Sequence, residues 1–291
     1  MENVFSYIRE CQLFKTLSID ELLFVEFKCM IEELKYGMWS DANYFVFVTN
    51  GKKKWSSLDQ EYIVTAGDAL FVKKGANIAH QFHSEDYCAL MIFMPDDFIQ
   101  RFMTKFSETV GSPTVDAPVS DSVMRVTVDD FLTSYVQSLE AYFISNLQPD
   151  KNILQLKFEE LLLNIFTRSA HQDIANYFKL LNMDSKIQLE QIMRANFAYN
   201  LKLNDYAHLC NMSLSSFKRT FKTVFNTSPG KWLCKKKVSM AERLLKTSDK
   251  TIGQIAFDTG FEDTSHFIKV FKQQFGSTPL SYRNEYIQGD S

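Results

Sequence analysis

Two stretches decide the fold of the C-terminal part of this 291-residue chain: NMSLSSFKRTFKTVFNTSPGKWL, Asn211 to Leu233, and GFEDTSHFIKVFKQQFGSTPLSYR, Gly260 to Arg283. In each, a turn leads into a helical pattern in which three Phe residues recur at every fourth position. This spacing puts the rings on one helix face, and Ser, Thr, Lys and Arg fall on the other. The second helix of a helix-turn-helix has this design, because its outer face must carry hydrogen-bond donors into the major groove of DNA.

Charge is distributed unevenly along the chain. The segment from Lys186 to Arg283 contains 16 Lys and Arg against 7 Asp and Glu, a net charge of +9. The segment from Met1 to Ser185 contains 16 against 26, a net charge of −10. Because a basic segment attracts phosphates and releases their condensed counterions, this asymmetry points to DNA as the partner of the C-terminal half.

The C-terminal pattern is helical throughout and contains an internal duplication. A short helix, a turn and a longer helix occur twice, and Pro229 fits the first turn of a connecting helix because its missing N–H is not needed there. The predicted helices are Lys186–Asn196, Leu203–Cys210, Leu214–Phe225, Pro229 to about Lys246, Thr251–Thr259 and Thr264–Phe275.

The N-terminal half predicts β-structure followed by helices. From about Phe24 to Met94, short apolar runs alternate with turn signals such as Asn50-Gly51, which is typical of a small antiparallel barrel or sandwich. A short helix through Phe106, the loop GSPTVDAPVSDS and two amphipathic helices follow. The fold class is therefore α+β: a β-barrel with a helical hairpin, then an all-α double helix-turn-helix.

The two amphipathic helices have two interpretations. Their apolar stripes either pack on the barrel or also pair with a second subunit, and amphipathicity alone does not separate these alternatives. For a homodimer, the candidate contact residues are Leu132, Val136, Leu139, Phe158 and Leu162.

The residues quoted above carry a resemblance to the AraC/XylS family of transcriptional regulators. The stretch from Gly260 to Arg283 resembles the family's C-terminal signature, and the stretch from Asn211 to Leu233 is similar to its first helix-turn-helix. The matching signature positions are Gly260, Phe261, Phe267, Phe271, Lys272, Gly276, Pro279, Tyr282 and Arg283. The resemblance implies paired recognition helices in two adjacent major-groove segments, recruitment of RNA polymerase, and a cupin-like N-terminal sensor domain.

The same resemblance implies which side chains contact double-stranded DNA. The implied base contacts are Ser215, Lys218, Arg219, Thr264, Ser265, His266 and Lys269, and the implied phosphate contacts are Lys222, Lys272 and the run Lys235, Lys236 and Lys237. Arg219 is the strongest candidate, because a guanidinium can bond guanine O6 and N7 together. Two alternatives stay open: His266 is merely solvated, or Ser215 only helps to begin its helix.

The N-terminal half also resembles the family. The segment AGDALFVKKGANIAHQF is similar to the family's barrel hairpin, although Ala66 and Lys73-Lys74 stand where Pro residues are often found. The segment LKFEELLLNIF, Leu156 to Phe166, resembles the virulence and type III secretion activators within the family. Aromatic residues of the barrel such as Tyr44 and Phe71 form either an ordinary core or the lining of an apolar ligand pocket.

Enzyme and metal functions are disfavoured. His80 and His83 are three residues apart and point to opposite faces of a regular strand, so we expect no metal site. The sequence contains no Gly-rich phosphate loop and no serine elbow, so we expect neither a cofactor nor catalytic residues. The scattered cysteines, Cys11, Cys29, Cys88, Cys210 and Cys234, suggest reduced structural residues. No run of about 18 uncharged apolar residues occurs, so we expect a cytoplasmic, nucleoid-associated bacterial protein that does not enter a membrane.

The sequence therefore predicts a DNA-binding transcriptional regulator, more readily an activator than a repressor. Residues 1–172 form the sensor and dimerisation domain, with the barrel at about 24–95 and helices at about 96–172, and residues 184–288 form the DNA-binding domain. The sensor responds to a small molecule, or, as the alternative, to a regulatory protein.

Overall fold

The computed structural model describes residues 1–28, 35–57, 60–82, 86–111, 121–145, 147–182 and 184–289. Contacts between residues divide the chain into two compact units, Met1–Asp184 and Ser185–Ser291. The described part of the first unit contains strands and helices, and that of the second contains helices alone.

Two sheets form the β-structure of the first unit. Five strands have the order β1-β4-β9-β6-β7, and six have the order β11-β8-β5-β10-β3-β2. Adjacent strands are antiparallel, except that β1 is parallel to β4. The strands are β1 Glu2–Asn3, β2 Lys15–Ile19, β3 Leu22–Lys28, β4 Lys35–Ser40, β5 Asn43–Asn50, β6 Lys52–Ser56, β7 Glu61–Thr65, β8 Ala69–Val72, β9 Gly75–Gln81, β10 Cys88–Met94 and β11 Val123–Val126.

The six-stranded sheet is buried on both faces, which explains its almost continuous apolar sequence. Successive side chains of a strand point to opposite faces. In β5, Tyr44 and Val46 pack into a core shared with the five-stranded sheet, and Phe45 and Phe47 pack into a second core against helices. The first unit therefore has three layers: one sheet, a second sheet and a helical cover.

The helical cover consists mainly of α2, α4, α5 and α6, whose apolar residues share the second core. The helices of the first unit are α1 Val4–Glu10, α2 Asp96–Lys105, α3 Ser107–Val110, α4 Asp130–Ser145, α5 Lys151–Phe166 and α6 Gln172–Leu180, with a 3-10 turn at Ser169–His171. The two predicted amphipathic helices correspond to α4 and α5. Most of the loop GSPTVDAPVSDS lies outside the described residues.

Several boundaries differ from the sequence prediction. The β-structure begins at Glu2 instead of about Phe24, and a further strand, β11, pairs with β8 after the loop. A helix, α6, occupies the interval between the two predicted domains. Its apolar residues, including Tyr177 and Phe178, pack into the second core, so the first unit extends beyond residue 172.

The assignment of dimer contacts to the apolar stripes was wrong for most of the residues. Leu132, Leu139, Phe158 and Leu162 are completely buried in the core of their own unit, and Val136 is partly buried against it. A side chain that is completely covered within its own subunit cannot also contact a second subunit. These five positions are covered by the six-stranded sheet and its helices, as the other interpretation of the stripes expected.

The second unit agrees closely with the predicted helices. Its first helix-turn-helix is α8 and α9, its second is α11 and α12, and α10 connects them. Pro229 begins α10 as expected, and Pro279 begins a further helix, α13. The helices are α7 Ser185–Asn196, α8 Leu203–Leu209, α9 Leu214–Phe225, α10 Pro229–Thr247, α11 Ile252–Asp258, α12 Thr264–Phe275 and α13 Pro279–Gly289.

Candidate nucleic-acid interface

The two recognition helices begin with side-chain caps that satisfy free backbone N–H groups. At α9, Ser213 Oγ accepts a hydrogen bond from the backbone N–H of Ser216 at 3.2 Å. At α12, the carboxylate of Asp263 accepts bonds from the N–H groups of Ser265 and His266 at 2.9 and 3.2 Å. These two bonds hold the pKa of Asp263 below its ordinary value, because they favour the ionised form.

Both recognition helices also end in the same way. Each is followed by a residue in the left-handed conformation, Asn226 with φ 51° after α9 and Gly276 with φ 81° after α12. Pro follows three positions later in both cases and begins the next helix, α10 or α13. The duplication inferred from the sequence is therefore present in the caps as well as in the helices.

The inner faces pack on equivalent aromatic partners. Phe217, Phe221, Phe267 and Phe271 are completely buried. Trp232, three residues into α10, contacts Phe221 and Phe225 with ring centroids 5.9 and 4.8 Å apart. Tyr282 occupies the equivalent position of α13 and contacts Phe271 and Phe275 at 5.5 and 5.4 Å. The Phe spacing thus fixes which face of each helix points outward.

The outer faces expose every residue predicted to contact bases. These side chains are exposed to solvent: Ser215, Lys218 and Arg219 on α9, and Thr264, Ser265, His266 and Lys269 on α12. Within the described residues, none of the Lys and Arg on these two outer faces forms an ion pair. Among the described residues, therefore, no carboxylate neutralises their charge, as an interface for phosphates and base edges requires.

Two of the polar candidates have neighbours within the protein. The ring of His266 lies edge-on to that of Phe261, with centroids 5.8 Å apart, so its orientation is restricted although it remains exposed. The hydroxyl of Ser215 lies 3.1 Å from that of the capping residue Ser213. The residue that caps the helix is Ser213, and Ser215 contacts this cap through its hydroxyl.

The lysines predicted to contact phosphates divide into two groups. Lys222, Lys235 and Lys272 are exposed, and Lys236 lies over the ring of Trp232 at 5.6 Å. Lys237 differs, because its ammonium donates a hydrogen bond to the carbonyl oxygen of Gly260 at 2.7 Å. Burial lowers the pKa of Lys237. Lys237 therefore has a partner within the protein that its neighbours Lys235 and Lys236 do not share.

Two signature residues have a structural task that the sequence pattern did not reveal. Tyr282 donates a hydrogen bond to Glu242 Oε1 at 2.8 Å, and the same oxygen accepts a bond from Lys246 at 2.7 Å. Arg283 donates to the carbonyl oxygen of Lys250 at 2.7 Å. These bonds attach α13 to α10 and to the start of the second helix-turn-helix, and so support the inner face of α12.

The first unit shows no metal site among its described residues. His80 Nε2 lies 3.0 Å from the hydroxyl of Ser56, and His83 lies outside the described residues. In the same part of the chain, no helix is both long and apolar enough to cross a membrane.

A surface groove of the first unit has a volume of about 610 Å³. It lies between the β2–β3 turn, α2 and α5, with Phe98 and Phe102 among its apolar residues. Lys105 bonds the largely buried carboxylate of Glu159 at 2.8 and 2.9 Å on one side, and Arg101 pairs with Asp97. The groove therefore combines apolar contact area with charges of both signs.

Comparison with known proteins agrees with this geometry. Residues 43–177 match the family model of the ExsA N-terminal regulatory domain, and residues 206–285 match that of a helix-turn-helix domain. The chain is 27% identical to the thermoregulatory protein LcrF of Yersinia pestis and 26% identical to the virulence regulon transcriptional activator VirF of Yersinia enterocolitica. Each match covers 80% of this chain and 86% of the relative.

The transcriptional regulator ExsA of Pseudomonas aeruginosa is 24% identical, over 87% of this chain and 90% of its own length. The two family models lie one after the other and correspond to the two kinds of structure described above. In both halves the chain therefore resembles the AraC family, whose members are DNA-binding transcriptional regulators and not enzymes.

Proposed function

We propose that α9 and α12 enter two adjacent major-groove segments on one face of a DNA duplex and read bases there. The observation that carries this proposal is the repeated design of the two helices. Both have the same buried Phe spacing, the same aromatic support and an outer face of exposed donors. A single basic helix is commonly just solvated, but two helices with matched inner and outer faces form a double reader.

The side chains divide into base contacts and phosphate contacts. Arg219 is exposed in the middle of α9 and can bond guanine O6 and N7 together, and Lys269 is its counterpart on α12. Beside them, Ser215, Lys218, Thr264, Ser265 and His266 complete the base-reading set. Phosphate contacts come from Lys222, Lys235, Lys236 and Lys272, which position the helices without reading sequence.

Footprinting with base-specific modification tests this assignment. We expect the full-length protein, bound to a duplex that it selects from a random library, to protect two segments about one helical turn apart. Arg219→Ala removes protection of one segment and Lys269→Ala that of the other. Ser239→Ala, an exposed change in the connecting helix, is the control. The double reader is contradicted if the wild-type protein protects only one segment. It is also contradicted if each variant loses protection of both segments together.

The regulator acts as an activator that recruits RNA polymerase and binds as a homodimer. The name of VirF describes a transcriptional activator, which supports this sign of regulation. For the dimer, the support is a set of exposed apolar side chains at the end of α4, in the connection that follows and in the first turns of α5: Ile144, Leu147, Ile153 and Leu156 are 41 to 79% exposed. We call these four residues the hairpin-tip patch. Pairing two such patches removes apolar area from water.

The input to the first unit is best explained by a protein partner. The space between the two sheets is filled by buried side chains such as Tyr44, Trp55 and Phe93, whereas the outer groove offers charges of both signs beside apolar area. Such mixed surfaces suit protein recognition. If the groove binds this partner in only one conformation of the regulator, the partner shifts the population toward that conformation and so controls access of the double reader to DNA.

Small-molecule sensing is the second candidate, and one observation favours it. Within the described residues, Trp55 Nε1 and Asn77 Oδ1 are buried without a hydrogen-bond partner. A polar ligand could satisfy both atoms, which otherwise cost free energy. A thermal-shift screen with purified metabolites separates the two inputs, because only a ligand that binds the folded state raises Tm. A Tm rise that Trp55→Phe abolishes would establish sensing and contradict control by a partner alone.

A further inference from the structure

We infer that Gly260 and Lys237 form a clasp that fixes the distance and rotation between the two recognition helices, and so sets the spacing of the DNA segments that they read. The clasp consists of the Gly260 backbone, the Lys237 ammonium and the Ala198 carbonyl. This inference rests on the proposed double reader and adds the residues that determine its register. These are positioning residues, because they act through the recognition helices and not on DNA.

The connecting helix α10 belongs to both helix-turn-helix modules. Its first turn contributes Trp232, which packs on the Phe residues of α9. Its later turns contribute Val238, Ala241 and Leu245, which pack in one core with the second module. A helix that is shared in this way keeps the modules together, but it does not by itself hold the second module against the first.

A direct contact between the modules comes from Gly260, in the turn of the second helix-turn-helix. A Cβ built on Gly260 would lie 2.3 Å from the carbonyl oxygen of Ala198 and 2.9 Å from its carbon. Ala198 follows α7 and belongs to the first module. A Cβ essentially never lies this close to a nonbonded atom, so the two backbones approach this closely only because residue 260 has no side chain.

The equivalent turn of the first module shows that backbone conformation alone does not require this glycine. Asn211 occupies the equivalent place with φ 54°, and the N–H of the next residue bonds the carbonyl of Ala207, as that of Phe261 bonds Ala256. Gly260 has φ 79°. Asn adopts such angles at modest cost, so the special demand at residue 260 is the contact with Ala198.

Lys237 closes the clasp from the connecting helix. Its ammonium bonds the Gly260 carbonyl at 2.7 Å and lies near the position that a Gly260 Cβ would take, at 3.0 Å. Beside it, Asn200 of the first module donates a hydrogen bond to Glu262 of the second. The segment after α7, the connecting helix α10 and the turn of the second helix-turn-helix therefore meet at one point. These contacts fix the rotation of one module relative to the other, which the connecting helix alone would not do.

Spacing-dependent DNA binding tests the clasp in the full-length protein. The probes are the duplex that the wild-type protein selects from a random library, and the same duplex with one base pair inserted between its two protected segments. The insertion shifts one segment by about 3.4 Å and rotates it by about 36°. For the wild-type protein we expect the insertion to raise Kd by about 50-fold. For Gly260→Ala and for Lys237→Met we expect the same insertion to raise Kd by less than about 5-fold.

Matched variants separate the clasp from general effects. Gly276→Ala has the same kind of positive φ, 81°, but its new Cβ meets nothing within 4 Å, so it should keep the full spacing penalty. Lys235→Met removes an exposed charge and should reduce the magnitude of the negative slope of log K against log salt by about 0.9, whereas Lys237→Met should leave that slope unchanged. Because Gly260→Ala is the variant more prone to misfold, Lys237→Met provides the second reading.

The outcomes distinguish two failures. If the wild-type protein discriminates between the two probes and both clasp variants discriminate equally well, the clasp does not set the spacing, and the double reader stands. If the wild-type protein is indifferent to the insertion, the double reader itself is wrong and the clasp falls with it.

Discussion

The hydroxyl of Tyr177 donates a hydrogen bond to Asn43 Oδ1 at 2.7 Å and so joins α6 to the beginning of β5, 134 residues earlier in the chain. Asn43 also donates to Asp96 Oδ1 at 2.8 Å, and Asp96 Oδ2 pairs with the ammonium of Lys74 at 2.5 Å. All four residues are buried. The last helix of the first unit is therefore anchored to a polar network inside that unit.

Lys74→Met should destabilise the first unit more than Tyr177→Phe. Removal of the ammonium leaves the Asp96 carboxylate buried without its cation, which costs about 3–5 kcal/mol. Loss of the Tyr177 hydroxyl costs about 1 kcal/mol, because Asn43 Oδ1 still accepts the backbone N–H of Lys74 at 3.0 Å. Urea unfolding of the full chain measures both changes in the free energy of unfolding. Equal effects, or the opposite order, would show that the network is not organised around the ion pair.

Lys73 should make the stability of the first unit depend on pH. Burial lowers its pKa from 10.5 to about 8, although Asp121 and Asp173 act in the opposite direction. Between these two values the unfolded chain binds a proton that the folded chain does not, so the free energy of unfolding rises with pH. The gain from pH 8 to 10.5 is on the order of 3 kcal/mol and should be absent in Lys73→Met.

The measurement is urea unfolding of both proteins at several pH values, with the difference between them taken at each pH. Other groups titrate in the same range, and the difference cancels their contribution. Curves that remain parallel from pH 7.5 to 10.5 would refute the lowered pKa of Lys73.

A charge in the hairpin-tip patch should weaken the dimer without unfolding the protein. Leu156 is 62% exposed, so Leu156→Asp puts its carboxylate in water in the monomer and in an apolar contact in the dimer. We expect the dimer dissociation constant, measured by analytical ultracentrifugation, to rise by at least about tenfold. Leu162→Ala is the contrast: Leu162 is completely buried, and the change should cost about 2–5 kcal/mol of stability. An unchanged dissociation constant for Leu156→Asp would remove the patch from the interface.

The sequence predicted the DNA-binding unit well, because its signals are local. The Phe residues of α9 and α12 recur with the period of a helix, and Pro229 marks the start of α10, so boundaries agree within a residue or two. The clasp was missed because Gly260 and Ala198 are 62 positions apart, and only their backbones touch. Lys237 looked like its neighbours Lys235 and Lys236 for the same reason.

The first unit was harder to predict because its edges depend on distant partners. Glu2 and Asn3 form a strand only by pairing with Met38 and Trp39, and β11 has only four residues that pair with β8. The dimer assignment failed for a related reason. An apolar stripe such as that of Leu139 and Leu162 shows that a face is covered, but not whether a sheet of the same chain or another subunit covers it.

Salt-dependent binding of the full-length protein to DNA upstream of its own gene, against a scrambled duplex of the same composition, tests the double reader most directly. We expect binding at least about a thousandfold tighter to the specific duplex at physiological salt, with a slope of log K against log salt that corresponds to several phosphate contacts. Arg219→Ala should lose selectivity and keep most of the slope. The contradicting result is equal binding to both duplexes, together with equal binding to a duplex selected from a random library and to its scrambled version. That result would rule out sequence-specific reading by α9 and α12.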